Sequence, residues 1–371
     1  MRPAAQNVAN RENAAGGFAG VFRVPAFRVL FGAELQSVVG DQLARIALSV
    51  LVFSRTGSDS ATALTYGLTY LPAVLGGFVL ARLGDRWPRR RVMIGCDVLR
   101  AAVFAAMALP GLSLPVVGAL LVVAVFVGPA FSASAVSLLA ATLDEAQFRS
   151  ASGLRMTSNQ LAQVAGFAAG GALTAALGAR GTLVLDAATY LVSAAVVTIG
   201  LRTSSTRPES SSHRPVPTAI RNNAQLLRAV LRDPRARTML LLSLLAGVFI
   251  APEGLAVPFA AQVGGSTTEA GLLLASIPLG SAAGVLLVVG VVPSSQRHRL
   301  ATLMAMTTGV PLAFTAVHPA LAVAGILWFL SGLAAAYQVE ALVTLVRWAP
   351  DDVRARLVSV CSSLLLGVQG I

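Results

Sequence analysis

The stretch GAELQSVVGDQLARIALSVLVF, residues 32–53, has the length and apolar content of a segment that crosses a lipid bilayer. Glu34, Asp41 and Arg45 nevertheless lie inside it. A charged side chain at the centre of a membrane helix costs about 2.5–3.5 kcal/mol even on the mildest insertion scales. On a helix, these three residues and Ser37 fall on one face. The pattern therefore predicts a polar stripe that lines an aqueous cavity and avoids lipid.

The whole chain shares the apolar character of this stretch. Of its 371 residues, 56% are hydrophobic and 12% are charged, whereas a soluble domain carries about 25% charged residues. Backbone groups in lipid must be paired within the protein, and the alternation of barrel strands is missing, so the apolar runs are expected to be helices. We therefore predict an all-α polytopic membrane protein. About eleven helices are expected, at 26–53, 61–83, 92–110, 114–142, 156–178, 182–201, 237–260, 268–292, 299–317, 320–344 and 355–371.

The basic residues set the expected orientation. All 28 of them are arginine, and the net charge is +12. Most lie in the N-terminal tail and in alternate loops, while Arg55 and Arg180 lie in loops on the opposite side. Since cytoplasmic loops are enriched in basic residues, we expect a cell-membrane protein with its N-terminus in the cytoplasm. Charge scattered over short loops does not indicate a nucleic-acid binder.

Several kinds of chemistry are not expected from this composition. The absence of lysine excludes a Walker A lysine and Schiff-base catalysis. His213, His298 and His318 show no metal-ligand spacing, and Cys96 and Cys361 lie far apart in apolar runs. No arrangement of a nucleophile and a base appears. We therefore expect no enzyme, no metal site and no cofactor.

Residues 202–235 interrupt the apolar rhythm. Their first part is rich in Ser, Pro and Arg and predicts a flexible linker, and their second part predicts an amphipathic helix on the cytoplasmic surface. The expected organisation is a cytoplasmic tail (1–24), an N-terminal half with helices 1–6 (25–201), this linker, and a C-terminal half with helices 7–11 (236–371).

The two halves resemble each other. Gly57 and Ser58 before helix 2 correspond to Gly265 and Ser266 before helix 8. Other short matches share the same offset of about 207 residues, which indicates a duplicated six-helix unit.

The segment ARLGDRWPRRRVMI, residues 81–94, resembles motif A of the major facilitator superfamily, the loop between helices 2 and 3. Asp85, Arg86, Arg89 and Arg90 match the motif, while Ala81 and Pro88 replace its two glycines. The resemblance implies that the acidic residue and the arginine cluster lock the cytoplasmic helix ends together in one state.

The segment VAGFAAGGAL, residues 164–173, is similar to motif C of the same superfamily, a helix 5 element associated with antiporters. Gly166, Gly170 and Gly171 match, and Phe167 stands where proline is expected. Small residues four apart allow close helix packing, so packing alone also explains the glycines.

The resemblance covers about residues 25–371 and is strongest to the drug- and siderophore-exporter-like branch. It implies two six-helix halves that rock about a central pathway. Members of the superfamily have twelve helices, whereas this sequence stops at LLLGVQGI within the eleventh. The expectation is a truncated product that lacks helix 12 and transports poorly.

Within such a transporter, Asp41 is the first candidate for proton coupling because it lies near mid-membrane. A permanent structural pair with Arg45, four residues later, is the alternative interpretation. Glu253 in helix 7 is the second candidate, and Glu34, nearer the cytoplasmic end, is the third. The repeat places Glu253 opposite Arg45, so we expect these two side chains to contact each other in the inward-open state.

Other polar residues are expected to serve packing or binding. Asp97 and Arg100, three residues apart on helix 3, are expected to form a structural pair. Possible substrate contacts are Tyr66 and Tyr70 on one face of helix 2 and Asn159 and Gln163 on one face of helix 5, although hydrogen bonds between helices would also explain them.

The sequence favours a secondary transporter that exports a small hydrophobic or amphiphilic molecule in exchange for protons. Its partners would be this solute, protons and the bilayer, and a monomer is expected. The alternatives are a nutrient uniporter or importer, and a membrane subunit without transport activity.

Overall fold

The computed structural model describes residues 18–80, 87–201, 223–350 and 353–370. Within these residues the fold is helical and contains no strand. The helices before the linker are α1 (Phe18–Val21), α2 (Pro25–Thr56), α3 (Asp59–Gly67), α4 (Leu71–Val79), α5 (Arg89–Met107), α6 (Leu114–Thr142) and α7 (Glu145–Gly200). Those after it are α8 (Asn223–Arg232), α9 (Pro234–Val248), α10 (Ala251–Gly254), α11 (Ala256–Gln262), α12 (Thr267–Val291), α13 (Ser294–Thr307), α14 (Gly309–Phe314), α15 (Leu321–Ala335), α16 (Tyr337–Trp348) and α17 (Arg354–Gln369).

Seven helical stretches of the described residues are long and apolar enough to cross a membrane. The all-α membrane fold predicted from the sequence is therefore confirmed. The number of about eleven spans remains a prediction, because α7 joins two of the apolar runs and α17 is shorter than a full span.

Helix α7 reverses direction at Gly178. This residue adopts φ 73° and ψ 166°, a backbone conformation that side-chain-bearing residues rarely adopt. The hydroxyl of Thr174 donates a hydrogen bond to that of Thr182 at 3.2 Å, whereas eight residues of straight helix span about 12 Å. The segments on the two sides of Gly178 are therefore antiparallel neighbours.

Prolines break two helices that the sequence predicted as continuous, at 61–83 and 237–260. Proline lacks an N–H, and its ring collides with the carbonyl four residues earlier in a helix. Pro72 follows the break between α3 and α4. Helix α9 ends at Val248, four residues before Pro252, and α10 ends at Gly254, four residues before Pro258. In a continuous helix, each proline ring would collide with the carbonyl of that last residue. The prediction of unbroken helices here was wrong, because hydropathy does not register the missing N–H and the ring clash of proline.

Helix α8 is the amphipathic helix expected in the linker, and residues 202–222 lie outside the described residues. Its Leu226 and Val230 are fully buried against Leu345 and Leu357. The apolar face thus packs on the protein's own helices, and the location of this helix on the cytoplasmic surface stays a prediction. Asp233 lies in the turn between α8 and α9. The hydrogen bond that its carboxylate accepts from the backbone N–H of Ala236 holds its pKa below the usual range.

The two halves meet mainly where α7 crosses α12. A Cβ atom at Gly171 would lie 2.8 Å from the Cα atom of Gly271, and a Cβ atom at Gly271 would lie 2.7 Å from the Cα atom of Gly171. The backbones therefore touch at this crossing. Apolar residues of α2 and α7 also share a cluster with α11, α12 and α15. The division into halves at 25–201 and 236–371 remains a prediction. We call the helices within these two ranges the N-terminal half and the C-terminal half.

Candidate functional site

A cavity of about 490 Å³ is lined mostly by helices of the N-terminal half, with Leu366 of α17 reaching it from the C-terminal half. Glu34, Ser37, Asp41 and Arg45, the polar stripe of α2, all line it. The other lining residues are Val38, Ala44, Leu48, Thr69, Tyr70, Ala73, Arg100, Phe104, Leu121, Val125, Gly128, Pro129, Phe131, Ser132, Asn159 and Leu366. The charged stripe thus faces an otherwise largely apolar cavity.

Asp41 is bound by side chains from two other helices. The guanidinium of Arg100 on α5 forms an ion pair with its Oδ1 at 2.7 Å, and the hydroxyl of Tyr190 on α7 donates to the same oxygen at 2.5 Å. Arg100 also lies over the Tyr190 ring, 4.4 Å from its centroid. The alternative interpretation of Asp41, a permanent pair with Arg45, does not hold in this structure, because Arg100 approaches from a neighbouring helix.

Further buried carboxylates lie close to Arg100. Asp97 accepts a hydrogen bond from Ser193 at 2.7 Å, and Arg100 acts on it electrostatically without the direct contact that the predicted Asp97–Arg100 pair implied. Asp186 lies against Gly40, and both carboxylates are fully buried and act electrostatically on Arg100. Together with Asp41, they give one guanidinium three carboxylates. If all three were ionised, the cluster would hold uncompensated negative charge, which is costly in an apolar interior.

Arg45 and Glu253 are separated by two tyrosines. One terminal nitrogen of Arg45, Nη1, donates to the hydroxyl of Tyr70 at 2.7 Å and to the side chain of Gln42 at 3.2 Å. Glu253 accepts a hydrogen bond from the hydroxyl of Tyr66 at 2.6 Å. In this structure the tyrosines of the broken helix 2 bind each charge separately, and the direct contact between Arg45 and Glu253 expected in the inward-open state stays a prediction.

Glu34 forms a second ion pair at the cavity. Arg155 on α7 holds both carboxylate oxygens, through Nε at 2.5 Å and Nη2 at 2.8 Å, and Asn159 donates to one of them at 3.3 Å. Gln163 bonds to Gln160 on its own helix at 3.0 Å. Unlike Asn159 and Tyr70, neither Gln163 nor Tyr66 belongs to the cavity wall.

The motif A residues are only partly described. Asp85 and Arg86 lie outside the described residues. Arg89 donates to the carbonyl of Ser137 on α6 at 3.2 Å, and Arg90 donates to the carbonyl of Thr198 on α7 at 2.6 Å. These two arginines thus join helix ends within the N-terminal half.

The motif C glycines lie at two close helix contacts. A Cβ atom at Gly166 would lie 2.9 Å from Gln42 Cβ, and one at Gly170 would lie 3.3 Å from Leu43 Cα. Both glycines thus face α2, while Gly171 faces α12 as described above. Their observed surroundings are those of helix packing.

Sequence reasoning missed Tyr190 and Arg155 as partners of the stripe. A signal for Tyr190 was present, because Asp186, Tyr190 and Ser193 recur at the spacing of one helix face. Arg155 carried no comparable signal, since it sits among ordinary positive residues of a predicted loop.

Membrane-length helices around a cavity that mixes ion pairs with apolar walls are typical of polytopic transporters. Residues 30–317 match the Major Facilitator Superfamily, and the chain belongs to this family. The superfamily suggested by motifs A and C is therefore confirmed.

Known proteins with similar sequence or structure agree with this assignment. An uncharacterized MFS-type transporter of Bacillus subtilis (strain 168), YkuC, is 24% identical over 180 residues, which span 48% of this chain and 42% of that relative. The chain thus aligns with less than half the length of that relative.

Two solved structures share the fold at low identity. A bacterial homolog of the human lysosomal transporter Spinster, in an inward-facing and occupied conformation, superposes with a TM-score of 0.68 at 18% identity, over 93% of this chain and 79% of that one. A D-xylose-proton symporter superposes with a TM-score of 0.63 at 14% identity, over 93% of this chain and 88% of that one.

Proposed function

We propose that this chain is a proton-coupled secondary transporter that exports a small hydrophobic or amphiphilic molecule, as in the drug- and siderophore-exporter-like branch. The observation that carries the proposal is the placement of Asp41. Its carboxylate lines the cavity with a third of its side chain exposed, and it is tied to Arg100 and Tyr190 on two other helices. A proton that reaches this carboxylate from the cavity would change contacts among three helices.

Access from the cavity supports Asp41 as the coupling group among the three acids, because Asp97 and Asp186 are fully buried whereas a third of the Asp41 side chain is exposed. With Asp97 and Asp186 buried beside the same guanidinium, the cluster carries more acids than bases. Protonation of Asp41 would remove its attraction for Arg100 and leave that guanidinium to the other two carboxylates. This exchange of partners would alter how α2 packs against α5 and α7, and it would thereby couple the proton to the conformation of the half.

Contacts between the halves support alternating access. Among the described residues, three side-chain hydrogen bonds join the halves: Tyr66 to Glu253 at 2.6 Å, Gln262 to Asp59 at 2.9 Å and Gln160 to Ser281 at 3.3 Å. We define the distal end of the bundle as the end at residues 56–59 and 262–266. Two of the three bonds lie in the part of the bundle between its middle and the distal end. We expect this end to face outwards, with the N-terminus cytoplasmic, and we infer that it is the closed end.

The test is proton movement in proteoliposomes that contain a pH-sensitive dye. A panel of amphiphilic solutes is added to the wild-type chain and to Asp41→Asn, with Tyr190→Phe as a matched variant that keeps the carboxylate. We expect a solute-dependent pH change for the wild type and for Tyr190→Phe, and its loss in Asp41→Asn. Proton movement at the wild-type rate in Asp41→Asn would contradict the proposal. The direction of solute flux in the same vesicles separates export from import.

A further inference from the structure

Arg45 lines the cavity but has no carboxylate of its own. Its two hydrogen-bond partners, Tyr70 and Gln42, are uncharged, and both are bound by Nη1. The guanidinium lies over the Tyr70 ring at 4.4 Å and near the Tyr66 ring at 5.7 Å. Its Nε and Nη2 atoms form no hydrogen bond with any residue that the structure describes.

The acidic residues nearest to Arg45 have other partners. Asp41, one turn earlier on α2, is held by Arg100 and Tyr190. Glu253 is held by Tyr66. The stripe therefore leaves one fixed positive charge at the cavity wall with part of its hydrogen-bonding capacity unused.

The unused atoms form the edge by which arginine binds carboxylates. Nε–H and a terminal N–H point in parallel and match the two oxygens of a carboxylate. The chain itself contains this geometry, since Arg155 holds Glu34 through Nε and Nη2. The apolar residues Leu48, Phe104 and Leu121 line the same cavity and could cover a hydrocarbon body.

We infer that the Nε and Nη2 edge of Arg45 binds a carboxylate, or another planar anionic group, of the transported molecule. This inference rests on the proposed transport function and narrows its substrate class to amphiphilic anions. The tyrosines would orient the guanidinium, and the apolar wall would hold the remainder of the molecule.

The experiment compares molecules that differ only in their charged group. Hexyl, 3-phenylpropyl and 2-naphthylethyl skeletons are each used as the carboxylic acid, the alcohol and the amine. Binding to the purified full chain is measured in nanodiscs by equilibrium dialysis and by the thermal unfolding midpoint, without a proton gradient. For at least one skeleton, we expect the acid to bind at least about tenfold more tightly than its alcohol and amine.

Variants assign this preference to Arg45. Arg45→Gln should abolish the acid preference, and Arg45→Lys should keep part of it, because an ammonium supplies charge without the planar edge. Arg55→Gln is the matched control, since Arg55 lies on the same helix and donates to the carbonyl of Leu112 outside the cavity. Glu253→Gln should strengthen acid binding, because it removes a competing negative charge.

The ratio of acid to alcohol affinity is an internal control for folding, because a damaged protein would lose affinity for both. The inference is overturned if no skeleton shows an acid preference, or if Arg45→Gln retains the preference. If the wild-type chain shows no acid preference but still couples to protons, only the substrate class is overturned. An acid preference without proton movement would instead overturn only the proposed coupling.

Discussion

At the residue scale, the ion pair of Arg100 and Asp41 joins a nearly buried cation to an acid that is partly open to the cavity. The Arg100 side chain is 8% exposed and that of Asp41 is 33% exposed. Removing one member of a buried ion pair strands the other charge and costs about 3–5 kcal/mol, whereas replacing both members is often nearly neutral. The cost here should fall at the lower end, because water reaches Asp41 from the cavity.

We therefore predict that Arg100→Leu lowers the free energy of unfolding more than the double variant Arg100→Leu with Asp41→Asn. The expected reason is that Asp41, Asp97 and Asp186 lose their shared cation in the single variant. Thermal unfolding in one detergent is measured for Arg100→Leu, for Asp41→Asn and for the double variant. Additive losses in the double variant would show that Asp41 and Arg100 do not stabilise each other.

At the scale of helices, the crossing of α7 and α12 depends on two glycines in backbone contact. A Cβ atom at Gly171 would lie 2.8 Å from both Gly271 Cα and the carbonyl oxygen of Thr267. Backbone atoms cannot rotate away as a side chain can, so the helices must separate. We predict that Gly171→Ala destabilises the protein by roughly 1–3 kcal/mol, the usual cost of overpacking.

Gly95→Ala on α5 is the control for this prediction. No atom lies within 4 Å of a Cβ at Gly95, and alanine is favoured over glycine in a helix by about 0.5–1 kcal/mol. Its unfolding midpoint should therefore stay the same or rise. If Gly171→Ala unfolds at the same temperature as Gly95→Ala, the crossing is looser than the structure indicates.

Helix α8 offers a second prediction at this scale. Leu226 is fully buried, whereas Leu231 on the same helix is 42% exposed. Truncation of a buried leucine to alanine costs about 2–5 kcal/mol. We predict that Leu226→Ala releases α8 and speeds protease cleavage within 202–235, while Leu231→Ala leaves cleavage unchanged. Equal cleavage of the two variants would mean that α8 does not depend on its packing against α16 and α17.

At the scale of the whole molecule, transport would require the distal end to open. The side chains of Asp59 and Gln262 are hydrogen-bonded there across the two halves. In a chain without Cys96 and Cys361, we predict that a short bifunctional thiol reagent joining Asp59→Cys to Gln262→Cys abolishes transport. Cleavage of the reagent with a reductant should restore it.

The matched pair for this experiment is Arg55→Cys with Leu112→Cys. These residues are in contact at the same end but within one half, so their cross-link should leave transport intact. Transport that continues when the Asp59 and Gln262 positions are joined would refute the rocking of one half against the other.

The sequence alone determined the features that depend on local composition. Apolar runs gave the membrane helices because lipid requires paired backbone groups, and motifs A and C indicated the superfamily that residues 30–317 match. The helical period brought Glu34, Ser37, Asp41 and Arg45 to one face, and all four line the cavity. Proline positions alone do not determine the helix breaks, because Pro129 and Pro278 lie inside the continuous helices α6 and α12.

Only the tertiary structure decided the partners of those residues. Sequence reasoning paired charges that lie three or four residues apart, whereas Asp41 pairs with Arg100 and Glu34 with Arg155. Arg45 similarly binds Tyr70, and Glu253 binds Tyr66. The physical reason is that long arginine and tyrosine side chains reach across to neighbouring helices. Which helix faces a given residue depends on crossing angles and glycine contacts between distant segments, and no local period records these.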